Sequence, residues 1–209
     1  MKSTAFVPAL VVSLCWLCCR PLAAEPPPIH HHDMAGMDDM PAMDSVPGAS
    51  LYRLDTNLET AEGVGVKLAD LQGKPLIATM FYSHCTSVCP LLTTQLQHLV
   101  AALSPAERAK IRVLMVSFDS VRDTPEVLTE FKARHHIEDS NWLVARASAS
   151  DVRTLAAALG IRYRELPDHS FNHSAVITLL DADGVPRART QIITDDDAAF
   201  AASLAALLR

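Results

Sequence analysis

The sequence lacks an apolar run long enough to span a membrane, an excess of basic residues, an internal repeat and an abundance of cysteine. Its leading apolar stretch, AFVPALVVSLCWLCC from Ala5 to Cys19, has 15 residues before Arg20, short of the roughly 20 that a spanning helix needs. Lys2 is the only charge before it, and the small residues of RPLAAE follow it. Residues 1–24 therefore read as an export signal cut near Ala23 or Ala24. An uncleaved N-terminal anchor is the alternative, because Leu22 and Ala23 extend the run. None of Cys15, Cys18 and Cys19 follows the run of small residues that a lipoprotein signal uses, so no lipid is expected there.

The shortage of positive charge excludes one class of partner. The formal net charge is −6, and without Lys2 and Arg20 the remaining 16 basic residues face 24 acidic ones, a net −8. Nucleic acid is not expected to bind such a surface. Contact with a membrane surface is expected only through a target or an uncleaved N-terminus. Of the five cysteines, only Cys85 and Cys89 survive removal of the signal. In an oxidising compartment such a pair is either bridged or deliberately kept reduced.

Residues 25–50, EPPPIHHHDMAGMDDMPAMDSVPGAS, are rich in proline and nearly free of branched apolar residues. They read as a disordered tail or linker without a core of its own. The remainder, 51–209, is expected to form one domain. LYRLDTNLETAEGVGVKLADL reads as short strands turning at Glu62-Gly63, and KPLIATMFYS as a buried strand, since its apolar residues do not alternate. CPLLTTQLQHLVAAL carries Leu92, Leu96, Leu99 and Val100 at helical spacing, and IRVLMVSFD is a second buried strand. Thr124 caps a helix with proline at its first position, TPEVLTEFKARHH. WLVARA is a strand, and ASDVRTLAAALG is a helix closed by Gly160. AVITLLDADGVPRARTQII is a hairpin turning at Asp183-Gly184, and DDDAAFAASLAALLR is a helix with three aspartates at its positive end. The order predicts an α/β fold: a central mixed sheet flanked by helices on both faces, as in thioredoxin-like proteins.

The motif FYSHCTSVCP places Cys85 and Cys89 where a buried strand ends and a helix begins, the end of an open α/β sheet that carries reactive groups. A helix N-terminus favours the thiolate, which is both nucleophile and metal ligand. Three roles stand open for the pair. A structural disulfide would enclose only three residues and so remove little entropy from the unfolded chain. A redox couple departs from the usual Cys-x-x-Cys by one residue. A metal site tolerates that residue but needs a third ligand from among His84, His98, His135, His136, His169 and His173. His173 immediately precedes the apolar strand AVITLL, which would hold it near the cysteine loop if that strand is central. His135 and His136 end a helix and read as surface residues, and His98 falls on a polar helix side. Two thiolates and an imidazole suit three-coordinate Cu(I), not Mg²⁺ or Ca²⁺. Zinc would want a fourth ligand.

The tail points the same way. His30, His31 and His32 precede Met34, Met37, Met40 and Met43, spaced by three and interleaved with aspartates. Thioethers are good ligands for Cu(I), and imidazoles also accept Cu(II). An amphipathic helix with a methionine stripe is opposed by Gly36, Pro41 and Pro47.

Together FYSHCTSVCP, VSFDSVRDTPEVLTEF and NHSAVITLLDADG resemble the SCO/SenC family of copper proteins, over a region from about Leu51 to Arg209. The resemblance implies a thioredoxin-like fold and copper held by Cys85, Cys89 and His173. It also implies delivery of copper to the dinuclear centre of cytochrome c oxidase, or reduction of the target's thiols before metallation. The copper-bearing oxidase subunit is the expected partner, joined by another periplasmic copper chaperone or a thiol reductase. The expected location is the periplasm of a Gram-negative bacterium, soluble or tethered to the inner membrane. Asp119 resembles a family aspartate near the site, with a helix-loop cap or a docking charge as its alternatives. Two departures are Asp119-Ser120, where the family often has Asp-Pro, and Cys85-Thr86, where Cys-Pro is common. An enzyme reading, a thiol-disulfide oxidoreductase, needs both cysteines but not His173. A peroxidase reading is opposed by the absence of an arginine close in sequence to Cys85.

Overall fold

The computed structural model describes residues 49–86, 88–191 and 197–209. The expected signal, the tail ligands His30 to Met43, and Asp195 and Asp196 lie outside the described residues.

Strand formation follows the apolar runs. β3 (Leu76–Phe81) and β4 (Arg112–Ser117) are buried almost throughout, as strands covered on both faces must be. β3, β4 and β5 (Trp142–Ala147) run parallel, with Met80 opposite Val116 and Val116 opposite Ala145. Their crossovers contain α1 (Val88–Ala101) and α3 (Pro125–Arg134). Both step the same way along the sheet, so right-handed connection puts both helices on one face. β1 (Asn57–Thr60) and β2 (Gly65–Lys67) extend one edge antiparallel to β5, and β8 (Ile177–Leu180) and β9 (Pro186–Thr190) extend the other. The seven strands lie in the order β2-β1-β5-β4-β3-β8-β9.

Helix ends match their capping residues. Thr124 accepts the Val127 N–H at the start of α3, and Ser148 accepts the Asp151 N–H at the start of α4 (Ala149–Leu159). Gly160 closes α4 in the left-handed region. Asp197 accepts the Phe200 N–H to start α5 (Ala198–Leu208). A short helix not foreseen in the sequence, α2 (Pro105–Arg108), is held by a reciprocal Ser104–Glu107 capping box.

Three expectations need correction. Leu51–Arg53 and Leu68–Leu71 are 3₁₀ turns, not strands. Local polar bonds, Tyr52 N–H to Ser50 and Lys67 N–H to Asp70, close each turn while its leucines are buried. A further hairpin, β6 (Tyr163–Glu165) with β7 (Phe171–His173), forms its own two-stranded sheet. Three-residue strands carry too few positions for any periodicity to show. His135 is half-buried, its ring 4.4 Å from that of Phe131, so it is not a plain surface residue; His136 and His98 are exposed.

The β8–β9 turn needs its glycine. Gly184 has φ +78°, and a Cβ there would stand 2.6 Å from the Tyr52 ring. Gly184→Ala should destabilise the protein by about 2 kcal/mol, since a left-handed non-glycine residue and a steric clash combine. The urea midpoint of the variant checks this.

Candidate metal centre

β3 ends at Phe81, and the chain then makes a tight loop, Cys85 N–H donating to Tyr82 O at 3.2 Å, before α1 begins at Val88. Cys85 thus lies in the loop and Cys89 in the first turn of the helix. The Cys89 N–H donates to Cys85 Sγ at 3.3 Å. The sulfur thereby takes up one of the orphan donors of the helix start. The two sulfurs are not bonded to each other.

His173 arrives from the other direction. β8 pairs antiparallel with β3, Ala78 opposite Thr178 and Leu76 opposite Leu180, so the chain entering β8 is level with the chain leaving β3. The Thr79 hydroxyl fixes that entry by donating to Val176 O at 2.7 Å. His173 Nε2 lies 3.4 Å from Cys89 Sγ, and its Nδ1 is 3.2 Å from Ser174 O. A proton on Nδ1, bonded to that carbonyl, leaves Nε2 as the free lone pair facing the sulfur. The donor atoms of Cys85, Cys89 and His173 all lie within 4.8 Å of one another. All three residues are buried, at 8%, 1% and 6% exposure. Among the described residues no other group of three histidines, cysteines or carboxylates is this close.

The Cys89 thiol is pushed up, not down, as its place in the first helical turn had suggested. The hydrogen bond with Cys85 is the largest cause, followed by burial and by the Cys85 charge. Tyr82 is likewise raised to about 12, by burial first and then by Cys85. Cys89 is therefore held as the neutral thiol in the metal-free protein. Tyr82 and Phe118 stand edge-on and tilted against the imidazole, 6.0 and 5.0 Å between ring centroids. Phe171 and Tyr163 extend this aromatic wall. The wall confines the ring, and the sequence signal for it was the aromatic residue beside each strand end, Tyr82 and Phe118.

The model of the SCO1/SenC family matches residues 50–209 of the chain. This protein belongs to the SCO1/SenC family. A SCO1 protein homolog from Bacillus subtilis is 29% identical over 84 residues, 40% of this chain and 43% of that protein. The chain thus matches less than half the length of that relative. Among solved structures, Bradyrhizobium japonicum ScoI with copper bound aligns with a TM-score of 0.63 at 21% identity, over 77% of this chain and 99% of that one. BsSco, described as having a disulfide switch and belonging to the Sco family of cytochrome c oxidase assembly proteins, aligns with a TM-score of 0.60 at 20% identity, over 73% and 90%.

The SCO1/SenC core here contains a supporting residue that sequence reading missed. Asp123 is completely buried and accepts the Ser83 N–H at 3.0 Å, the Ser83 hydroxyl and the Ser117 hydroxyl. It therefore ties the cysteine loop to the end of β4. The only sequence signal was its place directly before the Thr124 cap. Asp119 sits in the same loop, accepts the Val121 and Arg122 N–H groups at 3.3 and 2.9 Å and pairs with the Arg122 side chain. It acts as a loop cap and contributes no atom to the Cys-Cys-His cluster. His84 is exposed and bonded to Ser83, and His169 is exposed and paired with Glu165 at 2.7 Å. Neither joins the cluster.

Asp123→Ala should cost about 2–3 kcal/mol, because it strands buried donors of Ser83 and Ser117. The loss should be read by urea unfolding, with faster amide exchange at Ser83.

Proposed function

We propose that this protein is a copper metallochaperone that carries Cu(I) on Cys85, Cys89 and His173 and passes it to the dinuclear copper centre of cytochrome c oxidase. The observation that carries the proposal is the convergence of two sulfurs and one imidazole nitrogen within 4.8 Å. Soft donors in a set of three match Cu(I). Support also comes from the copper-bound Bradyrhizobium neighbour and from the assignment of BsSco to oxidase assembly. Cys85, the less buried of the two cysteines, is the point of entry and exit, with exposed Thr86 and His84 beside it. An incoming thiolate or imidazole of the recipient would displace one donor at a time, so the metal never has to be released to water. The periplasm supplies the compartment, and the His30–His32 and Met34–Met43 cluster gathers copper as Cu(I) or Cu(II) before the core takes it up.

Anaerobic titration of the reduced protein with Cu(I), against a competing chelator, tests the core. We expect one tight equivalent in wild type, weakened at least about 100-fold in His173→Ala with the fold intact. Equal binding in both would overturn the proposal. Binding must also displace the Cys89 proton, held by a pKa raised well above the ordinary thiol. The Kd should accordingly fall by at least about tenfold per pH unit between pH 6 and 8, which the same titration at three pH values checks.

A thiol-disulfide oxidoreductase is the second reading, favoured by the proximity of two unbridged sulfurs and by the disulfide switch of BsSco. Oxidation of the pair would abolish the thiolate ligands, so redox state would gate metal loading. Full reduction of a disulfide-bonded partner peptide by His173→Ala, with the Cys85–Cys89 dithiol oxidised in exchange, would favour this reading over metal transfer.

A further inference from the structure

His173 reaches the sulfurs on a hairpin that shares no backbone ladder with the main sheet, since β6 and β7 pair only with each other. A two-stranded hairpin is marginal in water, so the place of His173 depends on what ties the hairpin down. At its base, the Arg162 N–H donates to Ser174 Oγ at 3.0 Å and the Ser174 N–H to Arg162 O at 2.9 Å. Midway, Tyr163 and Phe171 stack on Phe118. At its tip, Arg122 Nη2 donates to the backbone oxygen of His169, a residue in the left-handed region at φ +63°. The same guanidinium binds the Asp119 carboxylate through Nε.

The neighbouring residue completes the pattern. Asp123 holds Ser83, two residues before Cys85, while Arg122 holds the hairpin that carries His173. One short loop, braced by Asp119 and by the Asp123 N–H donating to Asp119 O at 3.1 Å, therefore grips both halves of the donor set from adjacent positions. A guanidinium suits the task because its planar fork engages two acceptors at once in fixed geometry, which an ammonium cannot do.

We infer that Arg122 is a positioning residue: it clamps the tip of the β6–β7 hairpin to the loop between β4 and α3 and thereby holds His173 Nε2 against the Cys89 sulfur. Its consequence for metal rests on the copper reading above, whereas the clamp itself is a property of the metal-free protein. Arg122 is 38% exposed on its side chain, so its replacement is expected to leave the core packed, Asp119 still accepting the Val121 and Arg122 N–H groups.

The full chain carrying Arg122→Met or Arg122→Lys tests this by amide hydrogen exchange on the metal-free protein and by Cu(I) competition titration. In Arg122→Met, the amides of Tyr163–Glu165 and Phe171–His173 should exchange about tenfold faster while those of β3 and β4 keep their protection. Its Cu(I) Kd should rise about tenfold, the size of effect expected when a ligand loses its outer support, and Arg122→Lys should fall between the variant and wild type. Unchanged exchange in the hairpin would overturn the clamp. Faster exchange with unchanged Cu(I) affinity would overturn its role in placing His173, and protection lost equally from β3 and β4 would make Arg122 a general stability residue instead. His173→Ala run beside them separates the failures: if it binds Cu(I) as wild type does, the copper reading fails with Arg122's metal consequence, while the exchange result still decides the clamp.

Discussion

The antiparallel pairing of β8 with β3 sets what can meet at the centre. A parallel strand in that place would enter at the opposite end of the sheet, some 20 Å away for six residues at about 3.3 Å each. Because β8 runs against β3, with Leu76 opposite Leu180, the segment before β8 and the loop after β3 share one edge. The approach of His173 to the two sulfurs depends on that register. A slip of one residue would turn Thr178 and Thr79 away from the carbonyls of Leu159 and Val176 that they now bond and would face buried apolar side chains the wrong way.

Within that frame the two sides of the cluster are built differently. The cysteine side is continuous with the main sheet and is held by a buried carboxyl group, Asp123, that saturates the polar groups of Ser83 and Ser117. The histidine side rests on a small separate sheet, packed through aromatic rings and tied at its tip by a guanidinium. A pair of sulfurs continuous with the main sheet thus stands opposite a more lightly anchored imidazole, so the imidazole could shift without disturbing the sheet. Burial works in the same direction. The low exposure of the three donors strengthens their mutual interactions, and burial adds to the hydrogen bond with Cys85 in raising the second thiol.

Much of this was legible in the chain. Unbroken apolar runs marked β3 and β4, proline after Thr124 marked the start of α3, and Gly160 marked the end of α4. The Asp183-Gly184 turn was visible because only glycine fits the positive φ there. What escaped was short or non-local: the three-residue strands of the β6–β7 hairpin, the 3₁₀ turns around Leu51 and Leu68, and the burial of Asp123. A carboxyl before a helix cap looks like an ordinary solvated residue, and its role appears only when Ser83, 40 residues earlier, is brought beside it.

The amino-acid sequence by itself determined the longer elements, the placement of two thiols at a strand-to-helix junction and the run of histidine and methionine side chains in the tail, because propensity, capping and side-chain chemistry act over a few neighbouring residues. Only the tertiary structure decided that His173, not His84 or His169, completes the cluster, that the second thiol is raised and not lowered, and that one loop supports both halves. Those outcomes depend on distances and burial between segments 84 residues apart, in the case of Cys89 and His173, and no local pattern encodes a distance across a fold.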